Sequence, residues 1–222
     1  NKNVMDQKIK GISCIDKWSW SKTEEKNWNQ KCKDFFQPVI IKNKVEILPY
    51  WKKNDDKYLS IKLNPALAFG TGHHETTYMM LDAMLNFDFN NKSVFDIGTG
   101  SGILSILAKK LGANFIRAID NDPLTYNNFY ENLELNDVDD IQFEIKDCFD
   151  VNQFNFDYIF ANINLNILLD LIPLIKSPGT IMIISGILSS DETVIVNAIK
   201  KYEKTIKDIY KKNEWLCLVI EL

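Results

Sequence analysis

Arginine is almost absent from this chain: Arg117 is the only arginine among 26 basic residues, and all the others are lysines. Proteins that bind nucleic acid use the planar guanidinium group for bidentate contacts to bases and phosphates. We therefore expect no direct contact with nucleic acid.

The four cysteines are widely spaced without a CxxC pair, which disfavours a zinc site or a disulfide framework. We expect reduced thiols and a cytoplasmic protein.

Long hydrophobic runs and a secretory leader are also missing. The longest apolar segments, such as TIMIISGIL at 180–188, are far too short to span a bilayer, and no signal peptide pattern begins the chain. We expect no membrane association. With 222 residues and a net charge of −4, the composition is that of a globular protein with one core and a small appendage. The first residue is Asn1, so we expect a fragment, and we expect it to be a monomer.

The first fifty residues differ from the rest, because their hydrophobic periodicity is poor. We interpret 24–36 as a short helix, 39–48 as two short strands and 49–56 as a linker.

From residue 57 onward, strands and helices alternate. The predicted strands lie at 93–97, 115–120, 141–145, 156–162 and 180–185, and two more near 205–210 and 214–221 look like a hairpin. The predicted helices lie at 75–86, 101–111, from Asp122-Pro123 onward, 165–175 and 190–203. Gly112 is expected to end the second of these helices, and Asp122 is expected to be the N-cap of the third. Such alternation predicts an α/β fold with a mostly parallel sheet covered on both faces, ending in an antiparallel hairpin.

The segment DIGTGSG at 96–102 joins a predicted strand to a helix. Glycines there let the chain turn tightly and let a ligand contact the main chain; a simple tight turn is the alternative. Asp120 ends the next strand, 22 residues after Gly98, where a carboxylate can accept both hydroxyl groups of a ribose. No lysine follows the loop, which excludes a Walker-type phosphate loop. Asp96 would repel a pyrophosphate but suits a cationic ligand.

A second glycine-rich segment, AFGTGHHETT at 68–77, contains the only two histidines, His73 and His74. Adjacent side chains tend to diverge, and no third ligand lies at a suitable spacing, so we expect no metal. Thr76 and Thr77 are also explained as caps of the following helix, and we expect Thr77 both to cap the helix and to contact a ligand. Five of the nine glycines lie in the two segments, which concentrates backbone freedom as a binding site requires.

The two glycine-rich segments and Asp120 resemble the motifs of a known enzyme class. An acidic residue before GxGxG, with another at the end of the second strand, resembles the class I methyltransferases, whose ligand S-adenosylmethionine is cationic and has no phosphate. Six segments occur in the order found in one family, the PrmA-type methyltransferases of ribosomal protein L11: LNPALAFGTGHHETT (63–77), DIGTGSGILSILAKKLGA (96–113), AIDNDP (118–123), ANI (161–163), ISGIL (184–188) and EWLCL (214–218). The resemblance covers residues 24–222, and GTG-x-H-x-TT is its most discriminating element.

The resemblance implies a class I methyltransferase Rossmann-like fold, S-adenosylmethionine as cofactor and ribosomal protein L11 as substrate. It implies residues 1–55 as the remnant of a substrate-recognition domain with its linker, and 56–222 as the catalytic domain. The cofactor-binding residues that it implies are Thr71, Thr77, Asp96, Gly98, Gly100, Asp120 and Asn162. It implies roles at the reacting end for Asn162, His74 and Trp215, although Trp215 is equally expected as core packing of the last strand.

The segment ANIN at 161–164 lacks the prolines and the aromatic residue of NPPY, the pattern in relatives that methylate planar nitrogens. An aliphatic amine, such as a lysine side chain or an N-terminus, is therefore the expected target. Transfer needs a neutral amine about 3–3.5 Å from the methyl group, and burial lowers an amine's pKa. We expect the Asn162 carbonyl to accept an amine N–H, with His74 or water as proton acceptor. A methyltransferase for small molecules or other proteins, and a non-enzymatic cofactor-binding scaffold, stay open as alternatives.

Overall fold

The structure is a computed structural model, in which residues 36–65 and 72–222 are described. Its strands are β1 Val39–Ile41, β2 Val45–Pro49, β3 Leu59–Leu63, β4 Ser93–Ile97, β5 Phe115–Asp120, β6 Ile141–Ile145, β7 Tyr158–Asn162, β8 Ile181–Leu188, β9 Thr205–Lys212 and β10 Trp215–Glu221. Its helices are α1 Glu75–Met84, α2 Ile103–Lys110, α3 Thr125–Glu134, α4 Leu165–Leu171 and α5 Glu192–Lys201. The helix predicted at 24–36 lies, except for its last residue, outside the described ranges.

Seven strands form the main sheet in the order β6-β5-β4-β7-β8-β10-β9. The first five are parallel to one another, whereas β10 pairs antiparallel with both β8 and β9. The prediction of a mostly parallel sheet with a C-terminal antiparallel hairpin is therefore confirmed. The chain runs outward from β4 to β6 and then returns to β7 beside β4. This reversal creates a crevice at the carboxyl ends of β4 and β7, the usual ligand position in such sheets.

Two hydrophobic cores cover the two faces of the sheet. One contains buried side chains of α1, α2, α3 and the N-terminal strands, together with Val94 and Phe160 of the sheet. The other contains side chains of α4 and α5, together with Phe95 and Ile159. Neighbouring residues of one strand thus enter opposite cores, as the two-residue period of a strand requires. Burial on both faces explains why most residues of the central strands are apolar.

A second sheet of three strands lies at the N-terminal side of the described chain. β1 and β2 form an antiparallel hairpin, and β3 joins β2 in parallel. The sequence interpretation missed β3, although its residues LSIKL alternate between apolar and polar and lie between Asp56 and Asn64-Pro65. The predicted linker at 49–56 connects two paired strands, and the buried Glu46 carboxylate accepts the Asp55 N–H over 3.0 Å. The predicted boundary after residue 55 therefore falls within one sheet.

Several predicted element ends differ from the structure by a few residues, and three of the differences have a local physical reason. α3 begins at Thr125, so Asp122 is not its N-cap; the Asp122 carboxylate instead accepts the Leu124 N–H in the preceding turn. α4 ends at Leu171 and a 3-10 turn follows, because Pro173 has no N–H to continue an α-helix. β8 extends to Leu188, three residues beyond the prediction, since its last residues pair with β10.

Candidate functional site

The carboxyl ends of β4, β5 and β7 border a cavity of about 480 Å³, a volume typical of small-molecule sites. Gly98 directly follows β4, Asp120 ends β5 and Asn162 ends β7. The described residues that line the cavity are Thr77, Gly98, Thr99, Gly100, Ile103, Leu104, Asp120, Asn121, Asp122, Thr125, Asn162, Ile163, Asn164 and Ile167. Five predicted site residues therefore meet in one place: Thr77, Gly98, Gly100, Asp120 and Asn162.

The glycine loop has a conformation that requires glycine at residue 98. Gly98 has φ +71°, and a Cβ atom there would lie 2.5 Å from Cγ2 of Ile163. The N–H groups of Gly98 and Thr99 both donate to the Ile119 carbonyl oxygen, over 2.9 and 3.0 Å. The loop is thus turned over the end of β5, and its backbone forms one wall of the cavity.

Asp120 holds this loop through its carboxylate. One oxygen accepts the Gly100 N–H over 2.8 Å, and the other accepts the Asp122 N–H over 3.0 Å. Each carboxylate oxygen has further lone pairs, so the group can hold the loop and still accept ligand hydroxyls.

Asp96 lies behind the glycine loop and does not line the cavity. It is fully buried, and one carboxylate oxygen accepts the hydroxyls of Thr99 and Ser105, each over 2.7 Å. The other oxygen has no hydrogen-bond partner among the described residues. Desolvation raises the pKa of Asp96 to about 6, against the opposing effect of the two hydroxyls. The carboxylate therefore supplies buried negative charge beneath the loop, where a cationic ligand would stabilise it.

Asn162 connects β7 to α1. Its side-chain nitrogen donates to the Thr77 hydroxyl over 3.3 Å, while its buried side-chain oxygen has no partner among the described residues. An unpaired buried acceptor costs about 1–3 kcal/mol. A donor that belongs to a bound molecule would remove this cost.

The two histidines have different neighbours. His74 is the N-cap of α1: its Nδ1 accepts the Thr76 N–H over 3.3 Å and lies 2.7 Å from the Thr76 hydroxyl. Its ring meets Trp215 edge to face, with 5.0 Å between centroids. His73 instead contacts the Gln37 carbonyl oxygen through Nε2, over 2.8 Å. His74 and Trp215 thus form a pair next to α1, outside the lining of the cavity, and Thr71 lies outside the described residues.

An apolar extension of the cavity was not predicted from the sequence. It has about 70 Å³ and shares Gly98, Asp120, Asn121, Ile163 and Ile167 with the larger space. Ile97, Ile119, Lys146, Asp147, Cys148 and Phe149 complete its lining. Residues 146–149 follow β6. Ligands in such sheets bind beyond the carboxyl ends of the strands, so the rule that identifies the ends of β4 and β5 also identifies this segment. Its aliphatic and aromatic walls suit a flat, largely apolar group.

The charge of the larger cavity is negative. Asp120 and Asp122 are in its lining, and none of its described lining residues is basic. A pyrophosphate would find no cation there, whereas a ligand with positive charge and ribose hydroxyls would find complementary groups.

Within the described ranges, no group of three histidine, cysteine or acidic side chains could hold a metal ion. No helix of the described part is both long and apolar enough to cross a membrane.

Comparison with known proteins places these features in context. Residues 2–222 match the family model described as ribosomal protein L11 methyltransferase (PrmA). A protein of that name from Chlorobaculum parvum is 40% identical over 207 residues, which cover 89% of this chain and 71% of the relative. Its namesake from Chlorobaculum tepidum is 36% identical, with 99% of this chain and 78% of the relative covered.

Solved structures agree with this result. The crystal structure of a ribosomal protein L11 methylase from Lactobacillus delbrueckii subsp. bulgaricus superposes with a TM-score of 0.77 at 31% identity, covering 84% of this chain and 98% of that one. A protein described as a methyltransferase and solved in complex with S-adenosylhomocysteine (SAH) has a TM-score of 0.58 at 16% identity, and the match covers 68% of this chain and 50% of that one. The second likeness shows a shared fold, and the expected class I methyltransferase fold is confirmed.

Proposed function

This chain belongs to the ribosomal protein L11 methyltransferase family, and from that premise we propose that it methylates amino groups of ribosomal protein L11 with S-adenosylmethionine as methyl donor. The observation that carries the proposal is the acidic cavity at the ends of β4, β5 and β7, in which predicted cofactor-binding residues meet without a basic neighbour among the described lining residues. The family model supports the same activity over nearly the whole chain.

The residues of the cavity fit the parts of such a cofactor. Asp120 has acceptor capacity for ribose hydroxyls, beside the Gly100 N–H that it already binds. The apolar extension lined by Phe149 and Ile167 fits an adenine ring. The unpaired oxygen of Asp96 lies beneath the loop, and its negative charge favours a positively charged ligand above it. We propose that Gly98, Gly100 and Thr77 contribute the surrounding walls.

S-adenosylmethionine, when bound, supplies a methyl group on a positively charged sulfur. The incoming amine must be neutral, so that its lone pair attacks the methyl carbon while the carbon–sulfur bond breaks on the opposite side. We propose that Asn162 orients the amine, because its side-chain oxygen is an acceptor that lacks a partner among the described residues. Its bond to the Thr77 hydroxyl fixes the amide plane. The amine releases its extra proton after transfer, and water can accept it.

We propose that His74 and Trp215 border the entry of the target side chain. The His74 Nδ1 is already used to cap α1, which favours a shaping role over proton transfer. Thr71 remains a predicted cofactor contact from its place in GTGHHETT.

The proposed substrate also suggests the setting of the reaction. A ribosomal protein as substrate favours action in the cytoplasm, with no direct contact to nucleic acid. We propose that the chain is a monomer, because the exposed edge strand β9 carries Lys207, Lys211 and Lys212, and lysines on an edge strand oppose pairing with another chain.

The test is methylation of purified ribosomal protein L11 with radiolabelled S-adenosylmethionine, beside a panel of small amines. We expect label in the protein, on lysine side chains or the N-terminus, and none in the small amines. Asn162→Ala should lower kcat at least tenfold. Asn155→Ala is the matched control, because Asn155 precedes the opposite end of β7 and contacts Ser177. Label in a small amine alone would replace the proposal with a small-molecule methyltransferase.

A further inference from the structure

Three asparagines form a column along α3 and just beyond it. Asn128, Asn132 and Asn136 are spaced by four residues, which places them on one helical face, and all three are buried. Burial of an amide side chain is unfavourable unless its groups are hydrogen-bonded. The partners of these amides therefore show what the column holds in place.

Asn132 joins two segments that are far apart in the chain. Its side-chain oxygen accepts the Asn64 N–H over 2.8 Å, and its side-chain nitrogen donates to the Ser101 carbonyl oxygen over 2.8 Å. Ser101 lies in the glycine loop between Gly100 and Gly102. Asn64 follows β3 directly and leads toward the GTGHH segment. One fully buried amide thus connects the glycine loop to the strand that precedes the second glycine-rich segment.

The side chains of the other two asparagines hold the same strand, and they make no hydrogen bond to the glycine loop within the described residues. Asn136 accepts the Lys62 N–H over 2.9 Å and donates to the Lys62 carbonyl oxygen over 2.6 Å. Asn128 donates to the Asn64 carbonyl oxygen over 3.2 Å and accepts from the Asn132 amide over 3.3 Å. The end of β3 is therefore held at Lys62 and at Asn64, and only the Asn132 attachment extends to the glycine loop.

α3 also reaches the cavity itself. Its first residue, Thr125, is in the lining, and so is Asp122 in the turn before it. Asp122 is held by the Asp120 carboxylate, which also holds Gly100. The helix, the glycine loop and β3 are consequently linked in one continuous hydrogen-bonded arrangement beside the cavity.

We propose that Asn132 is a positioning residue for cofactor binding, which sets the glycine loop in register with Asn64 at the end of β3. This inference rests on the proposed function, because it takes the cavity as the cofactor site. Asn132 does not touch the cavity; it acts through the Ser101 carbonyl and the Asn64 N–H. A displaced glycine loop would misplace the wall of the cavity that Gly98, Thr99 and Gly100 form.

The test removes the donor of the Asn132 side chain and keeps its acceptor. Asn132→Asp keeps an acceptor for the Asn64 N–H but replaces with an oxygen the nitrogen that donates to Ser101 and, over 3.3 Å, to Asn128. Asn136→Asp is the matched control, since it makes the same chemical change at a buried site that bonds to Lys62 of β3 and to the Asn132 carbonyl oxygen, but not to the glycine loop. We expect the dissociation constant for S-adenosylhomocysteine, measured by calorimetry, to rise at least tenfold for Asn132→Asp and less than threefold for Asn136→Asp. Urea unfolding without ligand should show similar losses of stability.

Equal weakening of binding by both variants, or none by either, would overturn the inference and leave the column as packing of β3. If Asn132→Asp does not fold, amide hydrogen exchange of the wild-type protein decides. We expect added S-adenosylhomocysteine to slow exchange at Asn64 as well as at Gly100; an Asn64 amide that does not respond overturns the inference. Failure of the wild-type protein to bind S-adenosylhomocysteine would instead reject the proposed cofactor.

Discussion

Gly186 lies so close to Ile163 that a Cβ atom at residue 186 would stand 2.3 Å from the Ile163 carbonyl oxygen. Gly186 belongs to β8, whereas Ile163 follows Asn162 at the end of β7 and lines the cavity. The absence of a side chain in β8 thus determines how closely the chain after β7 can approach, and with it the position of Asn162.

We predict that Gly186→Ala destabilises the protein more than Gly179→Ala does. Both glycines have a positive φ, +86° and +83°, but nothing lies within 4 Å of a Cβ atom at Gly179. The left-handed conformation alone costs alanine about 1–3 kcal/mol, and only Gly186→Ala adds the collision with backbone. Urea unfolding measures the difference. Equal losses of unfolding free energy would mean that Ile163 moves away freely, and methyl transfer would then be unaffected as well.

The buried carboxyl of Asp96 predicts a dependence of stability on pH. Desolvation raises its pKa from 3.8 to about 6, so the folded state binds this proton more tightly than the unfolded chain. The contribution of this group to stability is therefore greatest below about pH 4 and is lost as the pH rises to about 6. The full effect is on the order of 3 kcal/mol. Urea unfolding of wild type and Asp96→Asn between pH 4 and 8 should show this slope in the wild type alone.

The same group predicts proton release on cofactor binding. A cation bound near Asp96 favours the charged carboxylate and lowers its pKa. Calorimetry near pH 6, in buffers of different ionisation enthalpy, should therefore detect protons released with S-adenosylmethionine. Asp96→Asn should abolish that release. Release of the same size from the variant would assign the proton to another group.

Asp120 should determine which cofactor class binds. We expect micromolar binding of S-adenosylmethionine and no measurable binding of NAD, because the described lining of the larger cavity has no cation for a pyrophosphate. Asp120→Ala removes the acceptor for the Gly100 N–H and should weaken S-adenosylmethionine binding at least tenfold, about 1.4 kcal/mol. Glu144→Gln, which removes an exposed charge paired with Arg117, should leave it unchanged. Preferential binding of NAD would reject the methyltransferase proposal.

Two substitutions can separate the roles of His74. Asparagine is a good N-cap, so His74→Asn should keep the stability of α1, whereas His74→Ala should lose about 1 kcal/mol. Both remove the ring contact with Trp215, so both should lose the same further stability of about 0.5–1.5 kcal/mol. Because this pair borders the proposed entry of the target side chain, both should lower kcat about 2- to 10-fold. A loss of several hundredfold in both would instead identify the ring as a proton acceptor. His73→Ala, outside this contact, is the control.

Much of the fold followed from the sequence, since strand and helix periods are local. The ends of β4 and β5 and the helix end at Gly112 were predicted correctly, and Gly112 has φ +106° with the hydrogen bonds of a Schellman motif. β3 was missed although its residues alternate between apolar and polar, and its pairing with β2 is not a local feature of the sequence. The start of α3 was misplaced because Asp122 can cap a turn as well as a helix.

For the site, the sequence by itself determined which chemical groups stand at the strand ends. The glycines after β4, the acid that ends β5 and the amide that ends β7 are consequences of residue type and of where each strand stops. Strands that are buried on both faces stop where polar and glycine residues begin, and that position can be read locally.

Only the tertiary structure decided which of these groups face the cavity and what holds them. Asp96 was predicted among the cofactor-binding residues, and the structure places it behind the loop, where it is fully buried. Asn132 was not predicted at all, since its partners Ser101 and Asn64 are 31 and 68 residues away. Strand order and helix packing bring such groups together. These depend on contacts between distant parts of the chain, which the spacing of neighbouring residues does not encode.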